Sequence, residues 1–135
     1  MPTKGNLATR ARYRDFALQL YVRHVLHHNG GVLFRSDAKG PRGQHYEIQL
    51  HDVEGAHYPT GSLYHHKRSL YPRIEAEKWW LYQMVVKGRQ CVVRINGENV
   101  LEYDALENLN EGHIELQAHA PGKWTEFKQV RVRRL

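Results

Sequence analysis

The sequence predicts an all-β fold, an antiparallel two-sheet sandwich, on three observations. Apolar residues recur at every second position through most of the chain, the period of a strand with one buried face. Turn-forming residues interrupt these segments at intervals of roughly 8–15 residues, the spacing of short antiparallel strands. One Asn-Gly pair, Asn96-Gly97, sits between two runs of strand formers, which is the strongest short-range hairpin signal. A chain of 135 residues that is 41% hydrophobic and 25% charged has the make-up of one globular domain with a real core.

Taken in order, Phe16, Leu18, Leu20 and Val22 alternate with Ala17, Gln19, Tyr21 and Arg23 to make a first strand. Asn29-Gly30-Gly31 punctuates the chain before a second strand, Val32-Leu33-Phe34-Arg35. Residues 46–51 form a third. Residues 53–77 read as irregular, with a short strand at Thr60-Gly61-Ser62-Leu63-Tyr64. Residues 79–87 read as a strand with Trp80, Tyr82, Met84 and Val86 in phase; a helix over residues 74–84 is the alternative, because Glu75, Ala76, Glu77 and Lys78 favour one. Cys91 to Ile95 and Val100 to Tyr103 make the hairpin around Asn96-Gly97, with a longer loop or a bulge after the glycine. A polar connection, residues 105–111, leads to a strand over His113 to His119, and Trp124 to Leu135 closes the chain. That makes about nine strands. Trp80, Trp124 and Phe127 are assigned to core or edge packing.

Two of these strands carry an unusual polar face. Glu47, Gln49 and His51 oppose Tyr46, Ile48 and Leu50; His113, Glu115, Gln117 and His119 oppose Ile114, Leu116 and Ala118. Glutamate, glutamine and histidine are poor strand formers. Their alternation marks either a solvated face or a surface that binds or transforms something polar.

The totals exclude several classes. No apolar run approaches the ~20 residues of a membrane span, and no signal-peptide pattern follows Met1-Pro2-Thr3-Lys4-Gly5-Asn6. The single cysteine, Cys91, excludes an internal disulfide and a multi-cysteine metal site; its apolar neighbours make it a small core residue. The net charge of +6 is spread along the chain, which argues against a nucleic-acid partner. Its densest run, Lys128 to Arg134, alternates Val130 and Val132 with Arg131 and Arg133 as a strand with one wet face, with a polyanion site as the alternative. Ten histidines are many for this length. The adjacent pairs His27-His28 and His65-His66 point apart on a strand, so neither is a ready chelate; a metal assembled from distant His, Glu and Asp is left open.

The order of segments resembles the 3-keto-disaccharide hydrolase family, long catalogued as a domain of unknown function. The matching pieces are Tyr13-Arg14-Asp15-Phe16-Ala17-Leu18, Asn29-Gly30-Gly31-Val32-Leu33-Phe34-Arg35, Tyr46-Glu47-Ile48-Gln49, Thr60-Gly61-Ser62-Leu63-Tyr64, Lys78-Trp79-Trp80 with Tyr82, Ile95-Asn96-Gly97, Gly112 through His119, and Phe127-Lys128-Gln129-Val130-Arg131-Val132. The resemblance implies a concanavalin A-like jelly roll, lacking the family's early strands. Residues 1–12 are accordingly expected as an N-terminal extension and residues 13–135 as the single domain, of a compact variant or of a piece of a larger protein. The chain departs from the family where it has Asn29-Gly30-Gly31 for Asn-Ser-Gly and Trp79-Trp80 for a tryptophan-asparagine pair.

The resemblance further implies a saccharide or glycoside ligand, acid/base elimination or hydrolysis of a 3-keto-glycoside, and an exported or periplasmic protein if the chain is a mature form or fragment. A ketone at carbon 3 acidifies the neighbouring hydrogen, so the reaction needs a base at carbon 2, an acid at the leaving oxygen and a partner for the enolate. The family leaves room for a divalent metal in the last role. Glu47 is the first choice for base or acid. Arg35 would pair with Glu47 or polarise the ketone, and His119 would shuttle a proton. Gln49 and Gln117 would hold sugar hydroxyls, and Tyr64 and Trp79 would stack on a ring. Asp52 joins the site only if its strand ends or bulges near Leu50, since strict alternation turns it to the other face. The alternatives are a non-catalytic carbohydrate-binding module of the same fold and a polyanion-binding or scaffolding domain. An open sheet edge would allow a homodimer.

Overall fold

The computed structural model describes residues 5–53, 55–71, 73–118 and 122–135. Among them are nine strands: β1 (Gly5–Ala8), β2 (Phe16–His24), β3 (Gly30–Ser36), β4 (Tyr46–Leu50), β5 (Trp80–Lys87), β6 (Gln90–Ile95), β7 (Glu98–Tyr103), β8 (His113–Ala118) and β9 (Thr125–Arg134). A single short helical turn, Gly40–Arg42, interrupts the β3–β4 connection. The strands form two antiparallel sheets, ordered β1-β8-β3-β4 and β7-β6-β5-β2-β9, packed face to face as a jelly-roll sandwich.

The period-two segments bury the side chains their patterns mark. From the five-stranded sheet, Phe16, Leu18, Leu20 and Val22 on β2 and Trp80, Tyr82, Met84 and Val86 on β5 point inward. From the four-stranded sheet come Val32, Phe34, Tyr46, Ile48, Leu50 and Ile114. Phe16 meets Phe34 edge-to-face across the sandwich at 6.2 Å, and each such buried side chain contributes about 1.5–3 kcal/mol. Cys91 is fully buried in this core, and desolvation pushes its thiol up to about 12, so it is inert at neutral pH.

The segment 74–84 contains no helix; β5 begins at Trp80, because the inward phase of Trp80, Tyr82, Met84 and Val86 outweighs local helix propensity. At the hairpin, Asn96 and Gly97 both take positive φ, 49° and 84°, a two-residue turn joining Ile95 to Glu98, and a bulge follows on β7, where Val100 is the extra residue opposite the Val93–Arg94 step. The segment around Leu63 is not a strand but makes isolated bridges to Ile48 and Lys67. The N-terminal residues differ from an extension: Gly5–Ala8 form β1, which pairs with β8 and completes the edge of the four-stranded sheet. At the far edge of the other sheet, β9 presents Lys128, Arg131, Arg133 and Arg134 to solvent, a charged edge that discourages further strand pairing. No described helix is long and apolar enough to cross a membrane.

Candidate functional site

The outer face of the four-stranded sheet is built from two rows of side chains running across the strands. Register places Asn6, Gln117, Gly31 and Gln49 side by side in one row, and Ala8, Glu115, Leu33 and Glu47 in the next. Period-two alternation turns all of them away from the core. The face is polar yet shielded: Leu33, Gln49 and Glu115 are 2%, 7% and 5% exposed.

The two carboxylates on it are handled differently. Glu115 is satisfied: Asn6 Nδ2 donates to Oε1 at 3.0 Å, and the Ser36 hydroxyl donates to Oε2. Glu47 has no hydrogen-bond or ion-pair partner among the described residues, and desolvation raises its carboxyl from 4.5 to about 7. Its side chain lies over Gly31, where a Cβ would collide with its Oε2. The missing side chain at Gly31 is therefore what makes room for Glu47.

Beside this face opens a cleft of about 670 Å³. Its walls include Asn29, Gln49 and His51 from the sheet end and His57, Tyr58, Tyr64 and His65 from the irregular segment after β4. That segment is fastened along β4 by backbone bonds from Tyr64 N to Glu47 O and from Gln49 N to Ser62 O, both 2.9 Å. Tyr58, Tyr64 and His65 pack ring against ring, with centroids 4.0–6.0 Å apart. The cleft thus offers aromatic faces, imidazoles and amides, the usual means of holding a saccharide.

The structure sorts the sequence-predicted residues. It brings Glu47, Gln49 and Gln117 onto one face, with Tyr64 on the cleft wall. His119 lies outside the described residues. Arg35 is not beside Glu47. It takes φ 47° where the β3–β8 register shifts between Leu33 and Ser36, so alternation fails there. Its buried guanidinium donates to the carbonyls of Arg14 (3.0 and 3.1 Å) and Asn108 (3.0 Å) and faces Asp15 at 3.4 Å. Trp79 is on the opposite side of the sandwich, where the Arg23 guanidinium and Lys128 ammonium lie over its ring at 4.9 and 4.0 Å; with Trp80 inward, alternation forces Trp79 outward. Trp124 is 40% exposed and lies beside Arg23 at the sheet edge, just ahead of the edge strand β9, which is the edge half of its core-or-edge assignment. Asp52 faces the core: β4 ends at Leu50 without a bulge that would return it to the outer face, and its carboxylate meets His24 and His28. Sequence reasoning passed over His57, Tyr58 and His65 as site residues, since they fall in a segment with no periodicity; their only signal is the density of His and Tyr between residues 57 and 66.

A shielded polar sheet face beside an aromatic cleft, on a jelly roll, defines a carbohydrate-related domain. The chain belongs to the 3-keto-alpha-glucoside-1,2-lyase-like domain family, whose model matches residues 1–133. Among solved structures it is similar to a protein of Parabacteroides distasonis provisionally named a glycosyl hydrolase, with 21% identity, TM-score 0.87, and 98% of this chain and 84% of that one covered. It is also similar to the carbohydrate-binding module CBM66 of Bacillus subtilis, with 15% identity, TM-score 0.67, and 98% and 83% covered. Sheep galectin-11 matches at 10% identity, TM-score 0.62, and 98% and 97% covered. These likenesses establish the fold. No curated protein matches.

Proposed function

We propose that the domain cleaves 3-keto-glycosides by elimination, with Glu47 as the base. The observation that carries this reading is the Glu47 carboxyl itself: unpartnered among the described residues, shielded, and raised to about 7, the value a general base at neutral pH requires. In the step, Glu47 takes the proton from carbon 2, and the C–H electrons pass into the carbon 3 ketone as an enolate. The enolate then restores the ketone, forms the carbon 1–carbon 2 double bond and expels the glycosidic oxygen. That oxygen takes a proton from an imidazole, His119 or one of the cleft histidines. The side-chain N–H groups of Gln49 and Gln117 stabilise the enolate, and Tyr58 and Tyr64 support the ring or aglycone. Arg35, fixed on backbone carbonyls, holds the end of β3 and takes no part in polarising the ketone. No step is routed through a metal: no three His, Asp or Glu side chains converge on this outer face among the described residues.

The test is incubation with 3-keto-glucosides, with and without EDTA, followed by mass spectrometry. Release of the aglycone or sugar by the wild type, and its loss in Glu47→Gln, supports the reading; turnover that survives Glu47→Gln removes Glu47 from the mechanism. A second reading, a non-catalytic saccharide-binding module, is favoured by the engagement of Arg35 elsewhere and by the likeness to CBM66. Saccharide binding without turnover on any 3-keto substrate would select it.

A further inference from the structure

Three buried side-chain nitrogens lack a hydrogen-bond partner among the described residues: His24 Nε2, His28 Nε2 and Trp80 Nε1. All three belong to one corner of the core. His24, at the inward-facing end of β2, and His28, in the β2–β3 connection, stack at 3.8 Å with their planes 16° apart. Trp80 meets His24 edge-on at 6.1 Å. Asp52 enters the same corner just after β4, its Oδ1 3.3 Å from His28 Nδ1 and its Oδ2 3.8 Å from His24 Nδ1. The side chains of both histidines are 0% exposed and that of Asp52 is 1% exposed.

This arrangement is under-satisfied as it stands. An ionised carboxylate out of water needs a countercharge or several strong donors. Among the described residues Asp52 has one long hydrogen bond, to His28 at 3.3 Å, a second imidazole at 3.8 Å and no Lys or Arg in reach. Each unpartnered buried nitrogen beside it adds to the cost. A divalent cation answers the carboxylate's part of this deficit: it supplies the charge Asp52 lacks and takes a lone pair from Nδ1 of each ring, the nitrogens nearest the carboxylate.

We propose that His24, His28 and Asp52 form a structural site for a divalent cation of the zinc class, separate from the outer-face cleft. One ligand atom from each of the three lies within 4.8 Å of the others. Two imidazoles and a carboxylate are a donor set suited to zinc, with a water completing four-coordination. Donors on a tetrahedral zinc sit roughly 3.3 Å apart, given bonds of about 2.0–2.1 Å, so atoms now within 4.8 Å of one another must draw in by up to about 1.5 Å. His24 Nδ1, now 3.0 Å from the Val25 carbonyl, would leave that contact. The site backs onto the cleft wall, since His51 Nδ1 bonds the His28 carbonyl at 3.0 Å. An ion there would stiffen the wall that carries His51 and Asn29.

The experiment uses tag-free full-length protein, stripped with chelator and dialysed, then titrated with Zn²⁺ and separately with Co²⁺. The proposal expects one ion per chain by elemental analysis, tetrahedral Co²⁺ bands in the visible spectrum, and a thermal midpoint raised by about 10 °C at a hundredfold excess over Kd. Asp52→Asn and His28→Gln should each weaken binding a hundredfold or more, while His57→Ala and His65→Ala leave it unchanged. Should either core variant fail to fold, the wild-type Co²⁺ spectrum and midpoint shift still decide. An unmoved midpoint with no retained ion overturns the proposal, the corner then being filled by water. So does binding lost in the cleft variants but kept in Asp52→Asn.

Discussion

The two outer faces of the sandwich carry opposite chemistry under opposite solvation. The four-stranded sheet presents acids and amides, Glu47, Glu115, Gln49 and Gln117, on a surface largely shielded from water. The five-stranded sheet presents Tyr21, Arg23, Lys128, Arg131 and Arg133, mostly solvent-facing, with Lys128 over the rings of Tyr21 and Trp79 and Arg23 paired to Glu126 at 2.8 Å. Shielding raises a single carboxyl, that of Glu47, from 4.5 to about 7. Exposure leaves charges well hydrated, and an exposed ion pair is worth at most about 1 kcal/mol. A net charge of +6 therefore says less about this molecule than one uncompensated glutamate does.

The strongest way to sharpen this contrast is Glu47→Gln. Turnover of a 3-keto-glucoside should fall by about 10²–10⁴-fold, while saccharide affinity, measured by calorimetry, stays within severalfold. In the wild type, kcat/KM should rise with pH through about 7 as Glu47 ionises; a profile flat across that range would mean another base.

Gly31→Ala is the next largest. Its methyl would occupy the space of the Glu47 carboxylate, so activity should fall with Glu47 displaced. Overpacking should cost about 1–3 kcal/mol in chemical denaturation. An active, equally stable variant would show that Glu47 does not need that space.

Stability against pH gives a smaller effect with a definite sign. Folding raises the Glu47 carboxyl from 4.5 to about 7, so between these values the folded chain holds one more proton than the unfolded chain. Its contribution is fully present below 4.5, is lost as pH rises to 7, and is constant above. The stability of Glu47→Gln, followed by denaturant unfolding against pH, should therefore lack this decline and exceed that of the wild type at pH 8 by on the order of 1–2 kcal/mol, the linkage value discounted for the part of the side chain that stays solvated. Equal pH slopes for the two proteins would contradict the desolvated glutamate.

The smallest effects belong to the other face. Arg131→Ala and Arg133→Ala should each change stability by less than about 0.5 kcal/mol and leave turnover of a neutral glycoside unaltered. A large loss from either would break the contrast and bring back the polyanion reading.

Most of the fold was legible because its strands are amphipathic in the simplest sense. Phe16 to Val22, Tyr46 to Leu50 and Trp80 to Val86 each commit one face to the core, and Asn96-Gly97 fixes its turn by backbone conformation alone. The same alternation placed Glu47, Gln49, Glu115 and Gln117 together correctly. It failed where the backbone leaves the regular pleat. Arg35 turns inward at a left-handed residue beside a register shift, which periodicity does not encode. The imidazoles and tyrosines of the cleft come from a segment without period, positioned by bonds to β4. His24, His28 and Asp52 meet only because a loop and two strand ends converge, a relation no spacing in the chain displays.

The phenol of Tyr46 has a wider reach than its place in the core suggests. Its oxygen accepts the backbone N–H groups of Glu107 and Asn108, at 2.9 and 2.8 Å, and the Asn108 carbonyl in turn receives Arg35. In the strandless passage from β7 to β8, where the chain changes sheets, this hydroxyl and this guanidinium hold the middle, between the buried Leu106, whose N–H donates to the Arg89 carbonyl at 3.1 Å, and Gly112, paired with Tyr13. Both amides depend on the strand that carries Glu47, so a lost oxygen in Tyr46→Phe should be felt first as faster amide exchange at residues 107 and 108, in the link between the sheets.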